Sequence, residues 1–145
     1  MNSEQSRSIV HRMIEEIQNQ KRIELCHELF SETFVNHTPT PGVAPDRDGM
    51  RQLFSMVHTG FPDGHVSIED QLAQGTRVWT RKTFSGTHTG VFAGVAPTGK
   101  MMTYQVVDIL VLRNDKIIEH WSVLDRLDLF QQLGLVQRTP AGRSQ

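Results

Sequence analysis

The spacing of apolar residues changes once along the chain, at Gly64, and that change limits what the chain can build. Before it, apolar side chains recur every three or four residues; after it they alternate. From Ser3 to about Gln20, Ile9, Val10, Met13, Ile14 and Ile17 share one helical stripe with Glu and Arg opposite. A second short helix turns Leu25, Cys26, Leu29 and Phe30 inward. "HTPTPGVAPD" then interrupts regular structure with three prolines and a glycine. Asp46 caps a third helix carrying Met50, Leu53, Phe54 and Val57, and "GFPDG" ends it.

Beyond Gly64, "HVSIEDQLA" and "RVWTRKTFSGTH" flank a tight turn at Gln74-Gly75. "MMTYQVVDILVL" and "KIIEHWSVLD" flank "RND" as a second hairpin. "GVFAGVAPTGK" joins the second strand to the third, with its turn at Pro97-Thr98-Gly99. "RLDLFQQLGL" returns to helical spacing, and the tail after Val136 is expected to fray. Helices, a four-stranded antiparallel meander and a closing helix make an α+β layout in one domain over 1–145, ordered from about 5 to 136.

Composition excludes several function classes. Fifteen Lys and Arg against sixteen Asp and Glu give no electrostatic reason to expect nucleic acid or an anionic membrane as a partner. No apolar run approaches a bilayer span, and "MNSEQSRSIVHRM" lacks a signal peptide's apolar stretch. The single cysteine, Cys26, has no disulfide partner within the chain, which suits the reducing cytoplasm. The histidines lack metal-ligand spacing, no phosphate loop is present because Met101 follows Lys100, and no G-x-S-x-G elbow occurs.

The hairpin turns set registers. A turn at Gln74-Gly75 puts Asp70 opposite Trp79 and Ile68 opposite Arg81. A turn at Asn114-Asp115 puts Asp108 opposite Trp121 and Tyr104 opposite Asp125, and one at Pro97-Thr98 puts Thr87 opposite Asp108. One face then carries Asp70, Trp79, Arg81, Tyr104, Asp108, Trp121 and Asp125, a mixture suited to a ligand pocket. Val107, Ile109, Val111 and His120 fall on the other. A bulge would reverse every later assignment on its strand. Both faces of the third strand are apolar, so both need cover. Helices can cover one, and a second subunit packed sheet to sheet is expected on the other.

The motifs "GTHTGVFAGVAPTGK", "VVDILVLRNDKIIEHWSVLD" and "LFQQLG", preceded by "FVNHTPTPG" and "FPDGHVSIEDQLAQGTRVWTRKT", resemble those of the SnoaL-like polyketide cyclases, or ester cyclases, of the nuclear transport factor 2-like superfamily. The similarity runs from about Phe34 to Gly134. It implies a cone-shaped α+β barrel whose strongly curved antiparallel sheet and N-terminal helices enclose a cavity. It also implies paired subunits, and acid/base chemistry without metal or organic cofactor, closing a ring of a hydrophobic carbonyl compound by intramolecular aldol condensation. The aspartate serving as acid/base matches Asp125; a histidine of the third strand is replaced, at Leu110-Val111.

Asp125 and Asp108 are therefore the catalytic candidates. Asp125 also suits a helix cap, and Asp108, inside an apolar strand, needs a partner such as Arg81 or a backbone donor. His37, Trp79, Arg81, His88, Tyr104, His120 and Trp121 are the substrate-binding candidates. Among them His88 and His120 lie on the wrong face unless a bulge intervenes, and His37 can hang over the cavity mouth. Two alternatives stand beside the cyclase reading. One is another acid/base enzyme, an isomerase or an epoxide hydrolase using Asp70, Arg81, Asp108 and Asp125. The other is a non-catalytic module binding an apolar small molecule.

Overall fold

Asn2 opens the first helix with a reciprocal cap: its side chain accepts from Gln5 N–H at 2.8 Å, and its own N–H donates to Gln5 Oε1 at 2.9 Å. The computed structural model describes residues 1–137; the rest of the expected frayed tail lies outside the described residues. Helix α1 (Ser3–Arg12) runs directly into a wider π-helical stretch, Met13–Asn19, that the apolar spacing did not distinguish from α-helix. The short α2 (Cys26–Leu29) follows a single 3₁₀ turn. α3 spans Arg47–Gly60, and Asp46 caps it as expected, accepting from Gly49 N–H at 2.9 Å.

The sheet is curved, with strands β1 (Phe30–Asn36), β2 (His65–Gln74), β3 (Arg77–Thr87), β4 (Met101–Arg113) and β5 (Lys116–Leu124) in the order β1-β5-β4-β3-β2. The β2 to β5 meander is antiparallel, as expected. β1 is an addition: "FSETFVN" lies parallel to β5, making five strands where four were expected. Its Phe30 and Phe34 are buried, and a register shift between Phe30 and Val35 hides the period from the sequence. α4 (Arg126–Gln132) closes the fold against β4.

Three registers differ from expectation, each for a local reason. The β2–β3 turn is Gly75-Thr76, with Gln74 opposite Arg77, so Trp79 pairs with Leu72. Arg81 pairs with Asp70, and a bulge separates that pair from Ile68 opposite Lys82. Between β3 and β4 the chain makes a long loop with only a Phe92–Val95 bridge, so Thr87 faces Met101 and Thr80 faces Asp108. The β4–β5 turn is at Asn114-Asp115 as expected, both residues in the left-handed region at φ 52° and 63°. A shift beyond Leu112 opposite Ile117 then puts Leu110 opposite His120 and Asp108 opposite Ser122. These shifts exchange faces. Thr80, Lys82, Phe84, Tyr104, Val106, Asp108, His120 and Ser122 point inward, while Trp79, Arg81, Val107, Ile109, Trp121 and Val123 point outward.

The core is a single cluster in which α1, the π-helical stretch and α3 cover the inner face. The loop before α3 is held tightly over that face. A Cβ on Gly49 would lie 1.8 Å from the carbonyl oxygen of Ala44, so only glycine allows the contact. Gly49→Ala should lower stability by about 1–3 kcal/mol, the usual cost of forced overpacking, measured by urea unfolding. An unchanged midpoint would mean that the loop yields freely.

Candidate functional site

Asp108 is a carboxylate buried in the middle of a strand, an arrangement that is stable only with charge partners. Lys82 on β3 reaches it diagonally and pairs with Oδ2. His120 on β5 reaches it from the opposite side, with Nε2 3.2 Å from Oδ1. All three residues are buried. Burial by itself would raise the Asp108 carboxyl, but the Lys82 ammonium, assisted by the His120 hydrogen bond, outweighs it and holds the group well below the usual carboxylate range.

Asn36, at the end of β1, sets the histidine. Its Oδ1 accepts from the Thr38 backbone N–H at 3.1 Å, which identifies that atom as oxygen. The same oxygen lies 2.8 Å from His120 Nδ1, so Nδ1 must be the donor. Nε2 is thereby turned to Asp108, and the Asp108–His120 pair holds either one proton between its facing atoms or none. The π-helical stretch supplies the other anchor: Gln18 Oε1 accepts from Lys82 Nζ at 3.0 Å. Its neighbour Asn19 ties the stretch to β2, donating to Val66 O at 3.0 Å and accepting from Val66 N–H at 2.8 Å.

This cluster lies on the wall of a cavity of about 580 Å³. Met13, Phe30, Met50, Phe54, Phe61, Phe84, Phe92, Val106 and Leu129 supply much of the remaining lining. Thr38, Thr40 and Pro41 of the "HTPTPG" loop line it as well, along with Arg126. Tyr104 lines the cavity too; burial, with a lesser contribution from the Asp108 charge, pushes its hydroxyl up to about 12, so it remains a donor at neutral pH. His58, also lining, is lowered by burial against the opposing effect of its 3.1 Å contact with Gln18 O. A groove of about 740 Å³ between the start of α1 and the β4–β5 turn is open to solvent and brings together none of these buried groups. Among the described residues, no three His, Cys, Asp or Glu converge in a way that could hold a metal ion.

Of the sequence candidates, Asp108, Tyr104 and His120 meet at the cavity. The others do not. Asp125 is exposed between two lining residues, and its carboxylate caps α4 by accepting from Asp128 N–H at 2.9 Å. Trp79, Arg81 and Trp121 are on the outer face because of the changed registers. His37 is outside as well, stacked on Trp121 at 4.3 Å and 3.0 Å from Glu119 Oε1. His88 is buried beneath the β3–β4 loop, its Nδ1 accepting from Thr98 N–H at 3.3 Å, and it does not line the cavity. Asp70 and Arg81 pair outside while Asp108 is inside, so the Asp-Arg-Asp arrangement expected for epoxide hydrolysis is not assembled. The residues missed were Lys82, Asn36 and Gln18. Lys82 beside Arg81 reads as one more surface charge, and only the alternation of "RVWTRKTF" in the right register turns it inward.

A carboxyl held low in the native state stabilises the fold fully above the ordinary carboxylate range, and that contribution is lost as pH falls toward its native value. Asp108→Asn leaves Lys82 buried without its counter-charge and should cost about 3–5 kcal/mol at pH 7. The gap to the wild type should narrow by about 1 kcal/mol by pH 3, as the unfolded carboxyl takes up its proton. Denaturant unfolding at pH 7, 5 and 3 measures this, and a gap constant over that range would contradict the ion pair.

The sequence profile of the SnoaL-like polyketide cyclases matches residues 8–133. No curated protein matches the chain. Among solved structures, AclR, a candidate hydroxylase of Streptomyces galilaeus, superposes with a TM-score of 0.83 at 25% identity, over 96% of this chain and 87% of that one. A candidate polyketide cyclase of Bacillus cereus gives 0.78 at 29% identity, over 91% and 82%. IdmH of Streptomyces antibioticus, also described as a candidate polyketide cyclase, gives 0.76 at 28%, over 90% and 99%. These neighbours share the nuclear transport factor 2-like fold expected from the motifs. By sequence over most of its length and by its architecture, the chain belongs to the SnoaL-like polyketide cyclase family.

Proposed function

We propose that the protein is a cofactor-independent acid/base enzyme that draws a proton from the carbon next to a carbonyl group of a hydrophobic small molecule and closes a ring by intramolecular aldol addition. The observation that carries this reading is the Asp108–His120 pair, buried at the wall of a cavity otherwise largely lined by apolar side chains. A pair that holds one proton or none is base in one form and acid in the other. Without the shared proton it accepts the substrate's α-proton. The enolate carbon then attacks a second carbonyl of the same molecule, and the pair returns the proton to the new alkoxide. The cavity of about 580 Å³ suits a drug-sized ligand, for which pockets are roughly 300–1,000 Å³. Isomerisation of a carbonyl compound shares the first step and would use the same pair. The resemblance assigns the acid/base role to Asp125; the buried setting favours Asp108, with Asp125 spent on the α4 cap.

The outer face of the sheet supports a second element of the proposal, that two copies pair through it. Leu72, Trp79 and Val123 are 70%, 48% and 69% exposed there. Val107 and Ile109 of β4, both half-buried, continue the surface across the sheet, so an apolar band crosses four strands. A second copy offers the same band and needs the same cover.

Two outcomes test these readings. In heavy water the wild type should accelerate α-hydrogen exchange of 2-tetralone, followed by proton NMR. His120→Gln should lose about a hundredfold or more of that acceleration, the usual contribution of a general acid/base. Asp125→Asn should keep it, since Asn caps a helix nearly as well as Asp. A folded wild type without acceleration, or an unimpaired His120→Gln, would overturn the assignment. For the assembly, sedimentation at micromolar concentration should show a dimer that Val107→Asp splits or aggregates; a monomeric wild type would remove the pairing.

A further inference from the structure

Lys82 does more than neutralise Asp108 if its donors are counted. An ammonium carries three protons. One meets Asp108 Oδ2 and one meets Gln18 Oε1 at 3.0 Å; among the described residues the third has no acceptor. Lys82 is 4% exposed and lines the cavity, so that donor is kept from bulk water and can be met from the cavity. A lysine serving only as a counter-ion would need just the carboxylate. Here a second strut, from the π-helical stretch, holds Nζ as well. The head group is thus positioned between β4 and the first helix before any ligand arrives.

We infer that Lys82 is the oxyanion-holding group of the cavity, and that its uncommitted ammonium proton takes the oxygen of a ligand that is, or becomes, an enolate or phenolate. The inference deepens the acid/base reading and rests on it for the reaction, though not for the binding. As the α C–H bond breaks, its proton goes to the Asp108–His120 pair and its electrons form the C=C bond. The carbonyl π electrons move onto oxygen, which is where the Lys82 proton waits. Base and oxyanion donor are linked through one carboxylate, and so lie within reach of the two atoms that an enolisation involves, the α-carbon and the carbonyl oxygen two bonds away. In a water-poor cavity such a prepositioned cation favours the charged oxygen far more than it favours the neutral carbonyl. Arg126 is the other Lys or Arg of the lining, and it is exposed.

The probe is 4-nitro-1-naphthol, whose anion is coloured, titrated with and without protein across pH. The wild type should bind the anion at least tenfold more tightly than the neutral naphthol, seen as a fall of one pH unit or more in the bound probe's ionisation midpoint. Lys82→Met should abolish the preference and Lys82→Arg should keep part of it. Asp108→Asn should strengthen it, because the ammonium is released from its carboxylate, while α-hydrogen exchange is lost. If Lys82→Met does not fold, the double variant Lys82→Met, Asp108→Leu removes both buried charges together and should fold without the preference. A wild type that binds both forms alike or neither would overturn the inference. So would a preference that survives Lys82→Met and disappears in Arg126→Gln. Anion binding through Lys82 in a protein that does not exchange α-hydrogens would leave this inference standing and sink only the enzymatic reading.

Discussion

Asp108 can keep its charge inside the protein only because strands on both sides of it deliver partners. An isolated carboxylate there would carry a desolvation penalty of several kcal/mol. Lys82 arrives from β3 and His120 from β5, so the registers of both neighbours on β4 are bound to the same buried group. A slip of one residue on either side would turn the partner outward and leave the charge alone. The cluster therefore specifies strand pairing. It extends through Asn36 to β1 and through Gln18 to the first helix, touching elements from both ends of the sequence.

Those two extensions explain features that look irregular in isolation. The π-helical stretch adds width where Met13 and Gln18 reach the cavity, and Asn19 fastens it to Val66 on β2. β1 is short and parallel to β5, yet its last residue, Asn36, lies opposite His120 and accepts a hydrogen bond from its Nδ1–H. Asn36 N–H in turn donates to Pro45 O at 2.9 Å, which links the proline-rich loop to the histidine's anchor. The cavity wall, its roof and its titratable pair are one connected hydrogen-bonded unit.

The fold was legible because the change of period at Gly64 and the hairpin at Asn114-Asp115 are local signals, and because the spaced motifs match a family. The cavity inventory was less so. Facing depends on residue parity, and parity is lost at a bulge, a longer loop or a displaced turn, none of which changes composition. The shift after Leu112–Ile117 moved His120 inward and Trp121 outward. The long β3–β4 loop did the same to Lys82 and Arg81, leaving Trp79 outside. Even so, the resemblance holds a clue: the histidine it implies near Leu110 is absent, and Leu110 faces His120 across the strand pair.

The alternation along β4 and β5 has a further consequence. Asp108 and His120 face one compartment, and their immediate neighbours Val107, Ile109 and Trp121 face another, with only backbone between. From Tyr104 to Leu110 and from His120 to Leu124, substitutions at even positions alter the inner face and those at odd positions the outer one; the shift at Leu112–Ile117 separates the two runs, and Ile117 is buried. Two selective histories can thus be written into the same few codons without interfering. A lineage can exchange one set while inheriting the other intact, because neither set packs through the backbone that divides them.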